Sequence, residues 1–372
     1  MKLNVALLKN NARIATRLAS EMSKKTTSAF RSVPKQSTAE NKHPKVLCVG
    51  GSIYDLEIVL PTEPKNDGGS YPSEMCQRAG GVGRNHAEAF TRLGCDTSLI
   101  TVVGNDIPGK FLFPESSTVK KDHVYWVDNV ATSTYVAINV GGNIRHGFSA
   151  IEPASKELTP SRVEAKGHLF EQSDYIFLEG NLQPQTLKKS VELANVYGKK
   201  IWYDPTDINK VWKIVETGSA DKIAGFSPNA NEFIEYCKCL GVSIPVESLI
   251  NFNALADFIN TNKSFLHRIF PDQMEFLIVT LGANGCLLLS RSNQMSTIEI
   301  TTIDAPTKQE IVSASGSGDC FNSAFLTAHL HGANAESCMR AGQIAAGLSL
   351  QSLKTVPESI NFKTVVEPFL LP

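Results

Sequence analysis

Residues 314–321 read Ala-Ser-Gly-Ser-Gly-Asp-Cys-Phe, and they lead directly into 321–330, an apolar segment with helical spacing and no helix breaker. Glycine lets the backbone approach a ligand closely and turn its N–H groups toward it. The first turn of a helix adds unpaired N–H donors and the positive end of the helix dipole. The stretch therefore predicts an anion site, suited to phosphate, at Gly316, Ser317 and Gly318.

Asp319 ends this turn, and its negative charge needs a separate explanation. A carboxylate does not bind an anion, but beside a phosphoryl group it can accept the proton of an attacking hydroxyl. The alternative is structural, because Asp is also a favoured cap at a helix N-terminus. From this segment alone, both interpretations of Asp319 stand.

Short apolar runs upstream of this turn predict buried strands. The runs are 46–49, 97–103, 175–178, 200–203 and 276–281. Segments with helical spacing, such as 85–93 and 185–197, lie between several of them. Strands that alternate with helices predict an α/β fold with a mostly parallel sheet and helices on both faces. In such sheets ligands bind beyond the carboxyl ends of the strands.

Two stretches, 55–70 and 124–148, show strands and turns but no helical pattern. The run 132–140 followed by Gly141-Gly142-Asn143 predicts a hairpin. Together these stretches predict a small β layer over the site, with segments at about 55–75 and 124–148.

Gly80-Gly81-Val82-Gly83-Arg84-Asn85-His86-Ala87 is a second glycine-rich stretch. It is not a dinucleotide fingerprint, because His86 stands at the position of the third glycine and no strand is expected directly before it. We therefore reject an NAD-linked dehydrogenase. A loop where a polar ligand touches the backbone near Gly81 fits better, with Asn85 offering a donor and an acceptor. A purely structural turn is the alternative.

Two more motifs lie between the glycine-rich stretches. In Pro228-Asn229-Ala230-Asn231-Glu232, Asn229 and Glu232 share one face of a helix start. There they can hold Mg²⁺ through water near phosphates, although the same residue types also simply start a helix well. In the strand end Thr280-Leu281-Gly282-Ala283-Asn284-Gly285, the glycines either leave room for a nucleotide or form a hairpin turn.

These four motifs, in this order, resemble those of the ribokinase/PfkB family of carbohydrate and nucleoside kinases, over nearly all of the chain from Val46 onward. Residues 316–319 are similar to the family's G-A-G-D signature, and 80–85 to its G-G-x-G-x-N signature. Residues 229–232 match N-x-x-E, and 280–285 match T-L-G-x-x-G. The resemblance implies a ribokinase-like three-layer α/β/α fold with a mostly parallel sheet. It also implies a small β-sheet lid whose closure excludes water.

The resemblance also implies transfer of the γ-phosphoryl group of ATP to a sugar hydroxyl, with ATP and Mg²⁺ as cofactors. Asp319 would be the base, and Gly316, Ser317 and Gly318 would form the anion hole. The sugar would be bound by Asp55, Gly81 and Asn85. Phosphate and Mg²⁺ would be ordered by Asn229 and Glu232, the metal through water. The adenine side would be lined by Thr280, Gly282 and Gly285.

Three further segments, 179–182, 203–206 with Lys210, and 349–357, look similar to pseudouridine kinases within the family. This implies a nucleoside acceptor, with Asn181 and Lys210 among the residues that bind it. The uracil edge needs amide or hydroxyl partners from the lid, which Thr132, Ser133, Thr134 and Asn143 can offer. The alternatives are a ribokinase-like sugar kinase, an adenosine kinase, and a non-catalytic nucleoside-binding relative.

The sequence departs from the family pattern in two places. Ser313 and Ala314 stand where many members carry Asp-Thr, which puts a monovalent-cation site in doubt. Between Gly109 and His123 the chain is shorter than usual, and Pro114 is expected to interrupt a helix there. Because that helix packs on the outer face of the sheet in the family, we expect an effect on stability rather than on chemistry.

Composition and charge exclude other classes. With 36 Lys and Arg against 37 Asp and Glu, the net charge of -1 argues against a nucleic-acid or membrane partner. Residues 1–44 are basic and acid-poor, with an amphipathic pattern typical of a mitochondrial transit peptide; a disordered leader on a cytoplasmic protein is the alternative. The kinase domain is expected at 45–372, and a homodimer through the lid is a further prediction.

Overall fold

Buried apolar strands of the kind predicted from the sequence pair into one large sheet. The computed structural model describes residues 43–141, 143–291, 298–305 and 311–370. The strands are β1 (Lys45–Val49), β2 (Ile53–Leu60), β3 (Glu74–Gly80), β4 (Asp96–Gly104), β5 (Val124–Val127), β6 (Thr134–Val140), β7 (Asn143–Ala150), β8 (Tyr175–Glu179), β9 (Lys200–Asp204), β10 (Gly225–Phe226), β11 (Phe276–Thr280), β12 (Cys286–Arg291) and β13 (Ile298–Ile303). The large sheet has the order β13-β12-β11-β10-β9-β8-β1-β4-β5 in the described part of the chain.

The large sheet is parallel from β5 to β11, and at its edge β12 pairs antiparallel with both β11 and β13. Side chains of β1 alternate between two cores: Leu47 and Val49 pack in one, Val46 and Cys48 in the other. A strand that is covered on both faces has no polar side to show, which is why it reads as a continuous apolar run.

Helices cover both faces of the sheet, as predicted. The helices are α1 (Val82–Arg92), α2 (Ile107–Leu112), α3 (Glu152–Glu157), α4 (Pro160–Glu164), α5 (Gly167–Gln172), α6 (Pro184–Val196), α7 (Trp212–Glu216), α8 (Ala230–Cys239), α9 (Phe252–Thr261), α10 (Leu266–Ile269), α11 (Ser317–Leu330), α12 (Ala335–Leu350) and α13 (Phe362–Val365). No helix in the described ranges is long and apolar enough to cross a membrane.

The order of the strands reverses at β1. Its neighbours are β4, which follows it early in the chain, and β8, which follows much later. The carboxyl ends of β1 and β8 therefore border a crevice at a topological switch point, where open α/β sheets bind ligands. The loops after these strands are Gly50-Gly51 and Gly180-Asn181.

A second sheet has the order β3-β2-β6-β7, with β2 and β6 parallel and the outer pairs antiparallel. It corresponds to the predicted lid, and β6 and β7 form the predicted hairpin. The prediction was wrong for 124–127, which pairs with β4 at the edge of the large sheet. It was also wrong to expect no strand before Gly81, because β3 runs to Gly80.

The lid sheet has two different faces. Because strand side chains alternate, Asp55 lies on one face and Leu56 on the other. The large apolar side chains of Met75 and Phe148 are 59% exposed at the strand positions that face away from Asp55. A homodimer through the lid stays a prediction.

The segment after α2 follows the expectation from Pro114. Helix α2 ends at Leu112, two residues before that proline. Leu112, Phe113 and Val119 are nonetheless buried in the core. An irregular segment is thus buried where the resemblance implied a longer helix. Of the predicted leader, residues 1–42 lie outside the described chain.

Candidate active site

Asp319 lies in the first turn of α11 but does not cap it. The N-cap is Gly316, and it makes no side-chain capping bond. The carboxylate instead accepts a hydrogen bond from Asn85, with Nδ2 to Oδ2 at 2.7 Å. The capping interpretation of Asp319 is therefore wrong, and its side chain is directed toward α1 and the crevice.

The glycine turn before Asp319 is open to a ligand. Gly316 has a φ of 82°, and a Cβ there would lie 2.5 Å from the carbonyl oxygen of Thr355, so only glycine fits. A Cβ on Gly318 would meet nothing within 4 Å. Ser317 and Gly318 occupy the first helical positions, where backbone N–H groups have no partner within the helix; the N–H of Ser317 makes one long bond, of 3.4 Å, to the carbonyl oxygen of Ala314. An anion thus has both donors and space at this turn.

Burial sets the protonation of Asp319. The side chain is almost fully enclosed, and this desolvation raises the pKa of Asp319 to about 6, against the lowering effect of the Asn85 hydrogen bond. Such a carboxyl group is ionised at neutral pH and is a stronger proton acceptor than an exposed aspartate. The turn therefore carries a carboxylate whose proton affinity is higher than that of an exposed aspartate.

Asp204 is a second acid at this site that the sequence analysis did not assign. It ends β9, and one carboxylate oxygen of Asp204, one of Asp319 and a ring nitrogen of His86 lie within 4.8 Å of one another. Burial, followed by the charges of Asp319 and Glu232, raises the pKa of Asp204 well above its ordinary value. Its position at a strand end in a parallel sheet was the signal that could have identified it.

His86 does not neutralise these acids. It is fully buried against Phe177, with ring centroids 3.7 Å apart. Its Nδ1 lies 2.7 Å from the carbonyl oxygen of Val82, so Nδ1 carries the proton and donates it there. Burial lowers the pKa of His86 to about 3, which keeps the ring neutral. Within the described chain, its Nε2 has no hydrogen-bond partner.

The second glycine-rich stretch brings α1 against the loop after β1. Gly81 has a φ of 91°, and a Cβ there would lie 2.6 Å from the backbone oxygen of Gly51 and the nitrogen of Ile53. A Cβ on Gly83 would lie 2.7 Å from Gly50. These glycines therefore serve close backbone packing, which was the structural alternative for this stretch.

Asn85 holds the Asp319 carboxylate and presents no free groups of its own. Its Nδ2 is bonded to Asp319, and its Oδ1 lies 3.2 Å from the Thr355 hydroxyl. Both ends of the amide are thus engaged by protein groups. The structure places Asn85 at the site, as predicted, but in contact with the carboxylate.

Asp55 reaches the site from the lid strand β2. Its carboxylate fills the space above Gly80, where a Cβ would lie 1.9 Å from Asp55 Oδ2. Burial raises the pKa of Asp55 to about 7; Arg78 lowers it and Asp319 raises it further. Arg84 also lowers this pKa, so the Asp55 carboxyl lies near two cations as well as near Asp319.

Glu179 organises the loops at the switch point, and the sequence analysis gave it no role of its own. It is fully buried and accepts hydrogen bonds from the backbone of Gly51 (2.8 Å), from the backbone and side chain of Asn181 (2.8 and 2.7 Å) and from the Thr206 hydroxyl (2.9 Å). Lys210 Nζ donates to Asn181 Oδ1 at 2.7 Å. Asn181 and Lys210 are thus in contact at the switch point, and their binding of the acceptor stays a prediction.

Thr134 begins β6, and its hydroxyl donates to the carbonyl oxygen of Thr132 at 3.1 Å. Thr132 is itself held by Asp106, which bonds its hydroxyl at 2.6 Å and its backbone N–H at 2.9 Å. These contacts tie the base of the lid to the loop after β4. The side chain of Asn143 lies outside the described part.

Asn229 and Glu232 form a reciprocal capping box at the start of α8. Asn229 Oδ1 accepts from the Glu232 backbone at 3.0 Å, and Glu232 Oε2 accepts from the Asn229 backbone at 2.8 Å. Burial raises the pKa of Glu232. Both residues therefore start the helix, as the structural alternative held. The carboxylates of Glu232, Asp204 and Asp319 also provide the oxygen donors that suit Mg²⁺.

Thr280 ends β11 next to Asn229, with which it forms an isolated parallel bridge. The turn that follows leads into β12, so 280–285 is a hairpin, one of the two alternatives. Gly282 is exposed, and a Cβ on it would meet nothing within 4 Å, whereas one on Gly285 would lie 2.3 Å from the Ile303 carbonyl oxygen. The turn leaves open space beside the capping box.

A doubly wound sheet, a second smaller sheet and a buried carboxylate on an open glycine turn are the features that the resemblance to carbohydrate and nucleoside kinases implied. Residues 43–360 match the family described as pfkB family carbohydrate kinase. The chain belongs to this family, as the motifs predicted, and its ribokinase-like fold is confirmed.

Three similar proteins illustrate the relationship. The pseudouridine kinase of Arabidopsis thaliana is 24% identical over 255 residues, which are 68% of this chain and 67% of that protein. The pseudouridine-metabolizing bifunctional protein of Schizosaccharomyces pombe is 27% identical over 351 residues; the match covers 84% of this chain but only 46% of that protein. The structure of Arabidopsis thaliana ribokinase complexed with ribose and ATP has a TM-score of 0.72 at 20% identity, covering 89% of this chain and 100% of the other.

Proposed function

We propose that this chain transfers the γ-phosphoryl group of ATP to the 5′-hydroxyl of a nucleoside, and that pseudouridine is the acceptor. The observation that carries the phosphotransfer is the buried Asp319 carboxylate on the open turn at Gly316–Gly318. The choice of acceptor is supported by the similarity to proteins named for pseudouridine. Ribose is the alternative acceptor, because the ribokinase fold matches over the full length of that structure.

The residues of the site suggest how the reaction proceeds. Asp319 accepts the proton of the acceptor hydroxyl, and the hydroxyl oxygen forms a bond to the γ-phosphorus of ATP. The bond between that phosphorus and the β–γ bridging oxygen breaks, and ADP leaves. Backbone N–H groups of Ser317 and Gly318 stabilise the charge on the transferred group. When bound, Mg²⁺ neutralises phosphate charge; Glu232 and Asn229 would hold it through water.

Asp55 and the pair Asn181–Lys210 are the groups we assign to the acceptor. Asp55 enters from the lid and the pair from the loops after β8 and β9, so the acceptor would lie between the lid and the switch point. Closure of the lid sheet over it would exclude water, which otherwise competes as phosphoryl acceptor.

A substrate panel tests the acceptor. The purified protein is incubated with Mg-ATP and pseudouridine, uridine, adenosine or ribose, and the products are separated by mass and retention. We expect a 5′-phosphate of pseudouridine at the highest kcat/KM of the four. Phosphorylation of ribose without any nucleoside product would refute the nucleoside assignment but retain the phosphotransfer, whereas no product from any acceptor would count against both.

The pH dependence tests the protonation state of the base. Because desolvation raises the pKa of Asp319 to about 6, the base is protonated and inactive in more acidic solution. We expect log kcat/KM to be level near pH 7.5 and to fall with decreasing pH through about 6. The check is a profile of initial rates in buffers of constant ionic strength. An unchanged rate down to pH 4.5 would contradict a base with a raised pKa.

A further inference from the structure

Thr206 adopts a backbone conformation that threonine rarely takes. Its φ is 67°, and among the described residues Asn129 is the only other residue besides glycine with a positive φ. The N–H of Asp207 bonds to the carbonyl oxygen of Pro205 at 2.7 Å, so the chain turns within three residues around Thr206. A turn of this kind with a positive φ at its centre is a rare and strained form. The branched side chain of threonine adds to that strain.

The strain indicates that the side chain of Thr206 contributes something that glycine could not. Glycine would take this angle without steric cost, because it has no Cβ. Strained residues persist where the surrounding contacts over-determine them, and they concentrate at functional sites. We therefore expect the contacts of Thr206 to matter for the site.

Thr206 bonds to two buried carboxylates at the ends of neighbouring strands. Glu179 ends β8 and Asp204 ends β9, and the two residues are paired in the large sheet. The Thr206 hydroxyl donates to Glu179 Oε2 at 2.9 Å, and the Thr206 backbone N–H donates to Asp204 Oδ1 at 2.7 Å. The hydroxyl also accepts from the N–H of Gly180 at 3.1 Å. One residue thus fixes side chains on both strands.

The contact with Glu179 leads to the groups that we assign to the acceptor. Besides Thr206, Glu179 Oε2 accepts from the backbone and the side chain of Asn181, and Asn181 Oδ1 accepts from Lys210. Glu179 is fully buried, so the loss of one of its donors is costly. Without the Thr206 hydroxyl, the Glu179 carboxylate would shift, and Asn181 would shift with it.

The contact with Asp204 leads to the base. Asp204 lies in the cluster with Asp319, and its second oxygen, Oδ2, accepts from Asn322 Nδ2 at 3.1 Å. One oxygen of Asp204 is therefore held by Thr206 and the other by a residue of α11. Because the bond from Thr206 comes from its backbone, a substitution that retains the turn also retains this bond. The hydroxyl is the part that a variant can remove.

We propose that Thr206 is a positioning residue: its hydroxyl holds Glu179, and through Glu179 it holds Asn181, in the orientation that the acceptor requires. The strained turn brings the hydroxyl to Glu179 and the N–H to Asp204 at the same time. This inference rests on the proposed phosphotransfer function, because it concerns the acceptor of that reaction. Thr206 acts through Glu179 rather than on the substrates.

Steady-state kinetics of three variants test this role. Thr206→Val keeps the size and removes the hydroxyl, Thr206→Gly removes the hydroxyl and relieves the strain, and Thr206→Ser keeps the hydroxyl. We expect the Val and Gly variants to raise KM for the acceptor by roughly tenfold, with KM for ATP within about twofold of wild type. Thr206→Ser should restore most of the acceptor KM. The Gly variant should melt at a higher temperature than the Val variant, although both share the kinetic defect.

Amide hydrogen exchange of the segment 179–182 provides a readout that does not depend on turnover. Exchange there should be faster in Thr206→Val than in the wild type and in Thr206→Ser, because the loop after β8 is held less firmly. The matched control is Thr261→Val, which removes a hydroxyl bonded to the carbonyl oxygen of Asp257 at an exposed position on α9. It should leave both KM values and this exchange unchanged.

Three results would count against the proposals. An unchanged acceptor KM in Thr206→Val, with an active wild-type enzyme, would overturn the inference and leave the proposed function standing. A joint rise of both KM values that follows the loss of stability would also overturn it, because Thr206 would then only support the fold. If the wild-type protein phosphorylates no acceptor, the proposed function itself fails, and exchange at 179–182 then decides alone whether Thr206 holds this loop.

Discussion

Asp319→Asn is expected to lower kcat by about 10²–10⁴-fold while ATP still binds. The amide has the shape of the carboxylate and can still accept a hydrogen bond from Asn85 Nδ2, so the geometry is retained. It cannot, however, take a proton from the acceptor hydroxyl. Initial rates with saturating substrates measure the fall in kcat, and calorimetric titration with ATP measures whether ATP still binds.

The matched control for this substitution is Asp257→Asn, at an exposed position on α9 far along the chain from the glycine turns. It removes the same charge without touching the site and should leave kcat unchanged. Retention of more than a tenth of the activity in Asp319→Asn would show that another group deprotonates the acceptor. Asp204 would then be the next residue to replace, because it lies in the same cluster.

Gly81→Ala is expected to destabilise the protein far more than Gly198→Ala. Both glycines have positive φ, 91° and 64°, and an alanine at such an angle costs roughly 1–2 kcal/mol. At Gly198 the new methyl group meets nothing within 4 Å, whereas at Gly81 it would lie 2.6 Å from two backbone atoms. Overpacking of this kind adds roughly 1–3 kcal/mol.

Urea denaturation of the two variants measures the difference in the free energy of unfolding. The Gly198 variant measures the cost of the backbone angle alone. The additional loss of unfolding free energy in the Gly81 variant therefore measures the cost of crowding between α1 and the loop after β1. We also expect the Gly81 variant to lose activity, since that helix carries Asn85. If the two variants are equally stable, close backbone packing is not what requires glycine at position 81.

The sequence alone predicted the central strands because they are buried on both faces. Runs such as 46–49 and 175–178 have no polar side and carry a signal that needs no partner. The short run 124–127 predicts a strand, but its residue types suit a strand of the lid and a strand of the large sheet equally well. Which sheet it joins is decided by its pairing with β4, and a local sequence pattern does not show that pairing.

In the candidate site, too, residues within a local motif were predicted and residues that depend on long-range contacts were not. Asp319 and the glycines around it form a contiguous motif and were predicted. Asp204 and Glu179 each stand alone at a strand end, and their importance arises only when β8, β9 and α11 come together. The choice between cap and base for Asp319 likewise required the position of Asn85. Local propensity does not encode such contacts.

The hydrogen bond between Asn85 and Asp319 joins residues 234 positions apart in the chain. During synthesis, the amide therefore exists long before the carboxylate that it orients. Loop-closure entropy delays contacts of such separation until most of the intervening structure has formed. A ribosome-bound or proteolysed fragment that ends before α11 would present an open crevice without its proton acceptor. Under the proposed mechanism, catalytic activity would therefore appear only once α11 has folded against α1, and chains that lack α11 would not transfer phosphate from ATP.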